Sequence, residues 1–177
     1  MSINAICYVG LASLSVMLLV YVFIRKRNYA SLLLFLAMIG FGYIVEYVIY
    51  VLLDSYRYYP KLLSHNSYYD SSMGAIASNM LSLPSVATMI ASFHMGWIPA
   101  IVSAIVFVGI EWGFLRLGIY EHHWWRLMYT GISLPFYFRF AVFLMNKIEK
   151  SARGFYKESF CFLFAVRCWG RFNLCLS

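Results

Sequence analysis

The sequence predicts an all-α fold, a polytopic transmembrane bundle of five spanning helices followed by an amphipathic C-terminal segment. Three observations predict it. Of 177 residues, 63% are hydrophobic and only 12% charged, about half the charged share that a soluble domain carries to cover its surface. Mean hydropathy is +0.73. Apolar runs of roughly 20 residues, enough to cross a bilayer core as a helix, alternate with short polar stretches.

The first run, residues 3–24, holds 22 residues without a charge. It lacks the basic leader of a signal peptide and is too long for that peptide's apolar stretch, so it reads as a retained helix. "RKRN" at 25–28 closes it. The second helix, 29–53, is interrupted only by Glu46. A polar loop follows from 54 to 72. The third helix, 73–93, contains Asn79 and Pro84, and "HMGW" at 94–97 is a tight turn. The fourth helix, 97–117, contains Glu111. After the loop "GIYEHHWWR" at 118–126, the fifth helix, 127–145, contains Pro135 and Arg139. Residues 1–145 thus form one transmembrane helical domain. Residues 146–177 form a basic tail on the cytoplasmic side or the membrane surface. In 154–176, Lys157, Arg167 and Arg171 are interspersed with aromatics, and Cys161, Cys168 and Cys175 recur every seven residues. That pattern predicts a segment lying on anionic headgroups of the inner leaflet.

Charge sets the expected direction. Residues 25–28 carry three basic side chains, and the tail carries six basic against two acidic. The loop at 54–73 is balanced, and 116–126 has a net charge of +1. Five spans put 25–28 and the tail on one side. The preference of Lys and Arg for the cytoplasmic side makes that side internal, with the N-terminus outside.

The net charge of +7 does not indicate nucleic acid, because no basic patch interleaved with aromatics is present. The four cysteines form no Cys-x-x-Cys, so neither a zinc site nor a disulfide framework is expected. No Gly-x-Ser-x-Gly, phosphate loop or dinucleotide fingerprint occurs, and the adjacent His122 and His123 would diverge on a helix. No catalytic residue, metal or cofactor is assigned.

Small residues mark the expected packing seams. Ser71, Ala75, Ser78, Ser82, Ser85 and Ser92 share one face of the third helix, with Ala100-xxx-Ala104 and Gly109-xxx-Gly113 on the fourth. An acid in the middle of a helix costs about 2.5–3.5 kcal/mol on insertion scales. Glu46 and Glu111 lie at similar depth, each about 9–11 Å below the outer end of its helix. Tyr43, Glu46, Tyr50, Asp54 and Arg57 fall at helical steps, giving one polar face rising to the surface. The expected site is therefore a polar cavity shared by Glu46 and Glu111 and open to the outside. Tyr50, Arg116 and His122 or His123 would stand near its mouth. Asn79 and Arg139 are further intramembrane candidates, Arg139 with a route to the inner headgroups. A purely structural role, each Glu bonded to a neighbouring helix, is the competing reading.

Asp70, Pro84, Glu111 and the run "YEHHWW" from Tyr120 to Trp125 resemble, over about residues 30–140, a family of small five-helix membrane proteins from spore-forming Gram-positive bacteria. That family has no assigned activity, so the resemblance implies architecture and origin but no chemistry. The reading is a non-enzymatic sensor, scaffold or accessory subunit. One alternative is a transporter or channel subunit for a proton or small cation. Another is an integral-membrane enzyme acting on lipid headgroups. Expected partners are the lipid bilayer, with anionic lipids at the cytoplasmic face, and a homo-oligomer or membrane-protein partner.

Overall fold

The computed structural model describes residues 3–60 and 67–151. It contains five helices long and apolar enough to cross a membrane. The first, α1, is Ile3–Lys26, and α2 is Tyr29–Leu52. Ser67–Ala75, Ile76–Ser82 and Leu83–Ser92 run on as one helix, α3. Helix α4 is Trp97–Arg116 and α5 is Leu127–Ser151. Two short strands, β1 Tyr56–Tyr58 and β2 Tyr120–His122, pair antiparallel. Strand β1 leaves the end of α2 and β2 leaves the end of α4. The ribbon they form therefore covers one end of the bundle, and α1 is tied to it by Asn4, which donates to the Tyr59 carbonyl at 2.7 Å.

Helix α3 is the central helix. Its small side chains let α1, α2 and α5 approach closely, and Ala87, Ile90 and Ala91 are fully buried among Leu34, Met38 and Phe138. Hydroxyls join the helices across these seams. Ser15 donates to Ser82 at 2.9 Å, and Ser31 and Ser92 meet at 2.8 Å. The expected seam on this helix is therefore a contact surface. The Ala100 and Ala104 pair is buried as well, but a side chain added at Gly109 or Gly113 would meet nothing within 4 Å. Among the described residues, no other helix packs on those two glycines. Helix α4 rests mainly on α5, so only its face toward α5 is under that constraint.

Two helices widen by one residue per turn. The Leu53 N–H bonds to the Val48 carbonyl, and the Leu83 N–H to the Ser78 carbonyl, five residues back rather than four. In α3 the wide turn comes just before Pro84. There the proline ring would otherwise press on the carbonyl of residue 80. Wide turns of this kind often mark functional sites, and these two follow Glu46 and contain Asn79.

Several expected boundaries shift. Helix α3 begins at Ser67 rather than residue 73, and α5 runs to Ser151 rather than 145. Hydropathy finds where apolar side chains stop, whereas the helical backbone continues through polar residues whose side chains are solvated or paired. Glu149, in the added turns of α5, pairs with His94 at 3.3 Å. The expected continuous polar face on α2 breaks at Leu53. Asp54 has left the helix, and Arg57 lies in β1. The loops at 54–72 and 118–126 are not independent, because they supply the two strands. The amphipathic segment expected at 154–176 lies outside the described residues.

Candidate functional site: two acids around a side-opening cavity

Register builds the roof of the site. Tyr56 faces His122, Arg57 faces Glu121, and Tyr58 faces Tyr120. Side chains alternate across a strand, so Tyr56, Tyr58 and Tyr120 turn inward and are buried, while Arg57 and Glu121 stay exposed. The inward rings pack on one another, with centroids 5.4 Å apart for Tyr56 and Tyr120 and 5.0 Å for Tyr58 and Tyr120. Tyr8 of α1 joins them, donating to the Ile119 carbonyl at 3.0 Å. Burial pushes the phenols of Tyr56, Tyr58 and Tyr120 well above their ordinary 10.0, and their mutual proximity and the nearby acids add to it.

Beneath this roof lies a cavity of about 490 Å³, within the range of small-molecule sites. Glu46 of α2, Asn79 of α3 and Glu111 of α4 all line it. Its remaining wall is largely aliphatic and aromatic, including Phe41, Leu83, Phe107 and Phe140. The cavity is therefore amphipathic, where the sequence suggested a polar one.

The two acids differ in how they are held. Glu111 meets His122 Nε2 at 2.7 Å, and both side chains are nearly buried. Glu46 accepts from the Tyr56 hydroxyl at 2.6 Å through Oε2. Its other oxygen, Oε1, has no hydrogen-bond partner among the described residues, and neither has Nδ2 of Asn79. Asn79 stands beside Glu46 within reach of its carboxyl, although no hydrogen bond of ordinary length joins the two. Glu46 is 7% exposed and Asn79 8%. One free acceptor and one free donor thus lie side by side on an enclosed wall. An unmade bond of either kind costs about 1–3 kcal/mol.

Four other expected site residues have separate positions. Tyr50 stacks on Tyr56 at 5.8 Å and bonds Ser71 at 2.8 Å, behind the roof. His123 sits outside, 3.2 Å from the Asp54 carboxylate. Arg116 lies over the Trp112 ring at 5.2 Å on the outer side of α4. Arg139 is at the far end, donating to the Met95 carbonyl at 3.0 Å and lying over Trp97. None of these four lines the cavity. The roof residues Tyr56, Tyr58, Tyr120 and Trp125 were not singled out as site residues. Their signal is weak: "YRY" and "YEH" alternate over three residues each, too few to read as strands before their pairing is known. Among the described residues, no group of three or more His, Cys, Asp or Glu side chains is placed to hold a metal ion.

No protein-family model, curated protein or solved structure matches this chain. The site is therefore interpreted from its own geometry.

Proposed function

We propose that this is a multi-pass cell-membrane protein that binds a small molecule in the cavity at Glu46 and Asn79, acting as a sensor or accessory subunit. The observation that carries the reading is the pair of unpartnered polar atoms, Glu46 Oε1 and Asn79 Nδ2, buried on the wall of a cavity large enough for a ligand. Packing alone favours closing or filling such a space. The basic residues at 25–27 and those at the end of α5 favour the cytoplasmic side for that end, with the ribbon outside. A transporter for a proton or small cation is the second reading. It is favoured by two acids on one cavity, but one of the two is already bonded to His122.

Native mass spectrometry on full-length protein in bilayer discs made from host membranes tests the binding. Wild type should carry a non-covalent adduct that Glu46→Leu and Asn79→Leu both lose. Identical spectra for all three, with the fold intact by circular dichroism, would reject the reading. Direction is tested separately by membrane-impermeant thiol labelling in whole cells. Ser67→Cys should react and Ser151→Cys should not, and the reverse pattern would invert the bundle.

A further inference from the structure

The opening of the cavity and the chemistry of its two free atoms together define a class of ligand. Some lining residues reach both the cavity and the exterior. Val45 of α2 is 36% exposed and Phe136 of α5 is 63% exposed, yet both line it. They lie about 11 and 14 Å from the ribbon ends of their helices, at 1.5 Å per residue. Below them α2 and α5 close on each other. Phe41 packs on Phe140 with centroids 4.7 Å apart, and the Tyr137 hydroxyl donates to the Met38 carbonyl at 3.2 Å. Above them Tyr56 meets Trp125 edge-on at 5.9 Å. The opening is a side window between α2 and α5. With α2 and α5 spanning a bilayer it would open toward lipid, whereas the sequence suggested an opening to the outer surface.

A molecule entering there comes from the lipid phase, and its polar end must answer one acceptor and one donor. An ammonium only donates, so it would leave the Asn79 N–H facing another donor. A carboxylate only accepts, so it would set its lone pairs against those of an ionised Glu46. A hydroxyl does both. It can donate to Glu46 Oε1 and accept from Asn79 Nδ2 while the rest of the molecule lies along Phe41, Leu83, Phe107 and Phe140. Glu111 already has one oxygen bonded to His122, so Glu46 carries the open acceptor.

We infer that the cavity binds a neutral, lipid-dissolved alcohol, taken sideways from the bilayer between α2 and α5, its hydroxyl bridging Glu46 and Asn79. This rests on the binding reading above and assigns the ligand's class.

The test uses three twelve-carbon probes that share a tail: dodecan-1-ol, dodecylammonium and dodecanoate. Each is titrated into full-length protein in bilayer discs while thermal unfolding is followed. Near-saturating dodecan-1-ol should raise the Tm of wild type by about 5 °C. It should leave Asn79→Leu and Glu46→Leu unshifted, which removes any general effect on the bilayer. Glu46→Gln should keep a response, because a hydroxyl needs a hydrogen-bonding partner rather than a charge. An equal or larger shift from dodecylammonium or dodecanoate, or loss of the alcohol response in Glu46→Gln, would overturn the alcohol class. It would leave the adduct seen by mass spectrometry, and so the binding reading, in place. No shift from any probe would overturn the alcohol class as well, and the mass spectra would judge the binding reading separately.

Discussion

Tyr56 gives its phenol hydrogen to Glu46 at 2.6 Å, and that bond fastens the ribbon to the acid of α2. Both partners are buried. Tyr56→Phe leaves a second oxygen of the carboxyl without a partner, at a cost of about 1–3 kcal/mol. The melting temperature should fall by roughly 2–4 °C for each of those kcal/mol. In the double variant with Glu46→Leu, most of the penalty should disappear, because no lone pair is left orphaned. Purely additive effects would mean that the bond does not hold the ribbon.

The close fit of β1 on α3 makes a second prediction. A Cβ at Gly74 would lie 2.5 Å from the Tyr58 Cβ, whereas one at Gly109 would meet nothing within 4 Å. Gly74→Ala should therefore destabilise the protein by about 1–3 kcal/mol, the usual range for overpacking. Gly109→Ala should be neutral or slightly stabilising, since alanine is the better helix former by about 1 kcal/mol. Chemical denaturation in mixed micelles would rank the two, and equal midpoints would contradict the packing described here.

The tyrosine roof makes the protein sensitive to alkali. The phenols of Tyr56, Tyr58 and Tyr120 have folded values raised above the ordinary 10.0 by burial. A group with a raised folded value contributes its stability in full below its unfolded value. That contribution is lost as pH rises past it. The ribbon should therefore hold through neutral and mildly basic pH and release above about pH 10. Its release should coincide with a late, steep step in tyrosinate absorbance. A single shallow titration near pH 10, with helicity unchanged, would show that the three rings are not buried.

Much of the bundle was legible in the sequence because the helices depend on local pattern. Long apolar runs give their positions, and the serines of α3 show where neighbours must approach. Glu46 and Glu111 also stood out, since an acid at that depth needs a local reason. What the sequence did not reveal is long-range. The pairing of Tyr56 with His122 joins residues far apart in the chain, and each strand is too short to announce itself. Arg116 was expected near the mouth of the cavity, and Arg139 with a route to the inner headgroups. Their guanidinium groups instead found Trp112 and Trp97. The wide turn after Glu46 also changes the helical phase, so residues beyond it no longer continue the face counted before it.

The adjacent histidines should behave differently when removed. His122 holds the Glu111 carboxylate in a nearly enclosed pair, whereas His123 pairs with Asp54, which is 61% exposed. Breaking an enclosed pair from one side costs about 3–5 kcal/mol, and losing an exposed one costs about 0–1 kcal/mol. His122→Ala should speed hydrogen exchange at the Tyr58 and Tyr59 amides by 100-fold or more, by about 1.4 kcal/mol per tenfold step, while His123→Ala changes it little. Equal effects would place no special weight on the link from β2 to α4.

If the side window admits molecules from lipid, the buried carboxyl of Glu46 lies within their reach. Carbodiimide labelling in native membranes tests it most directly. A lipid-soluble reagent, dicyclohexylcarbodiimide, should modify Glu46, and faster than Glu111, whose oxygen is held by His122. A water-soluble carbodiimide at the same concentration should leave Glu46 unmodified, and bulk added at Val45 by Val45→Trp should slow the lipid-soluble reaction. Equal labelling of Glu46 by the water-soluble reagent, or resistance of Glu46 to both reagents, would show that no such route from lipid exists.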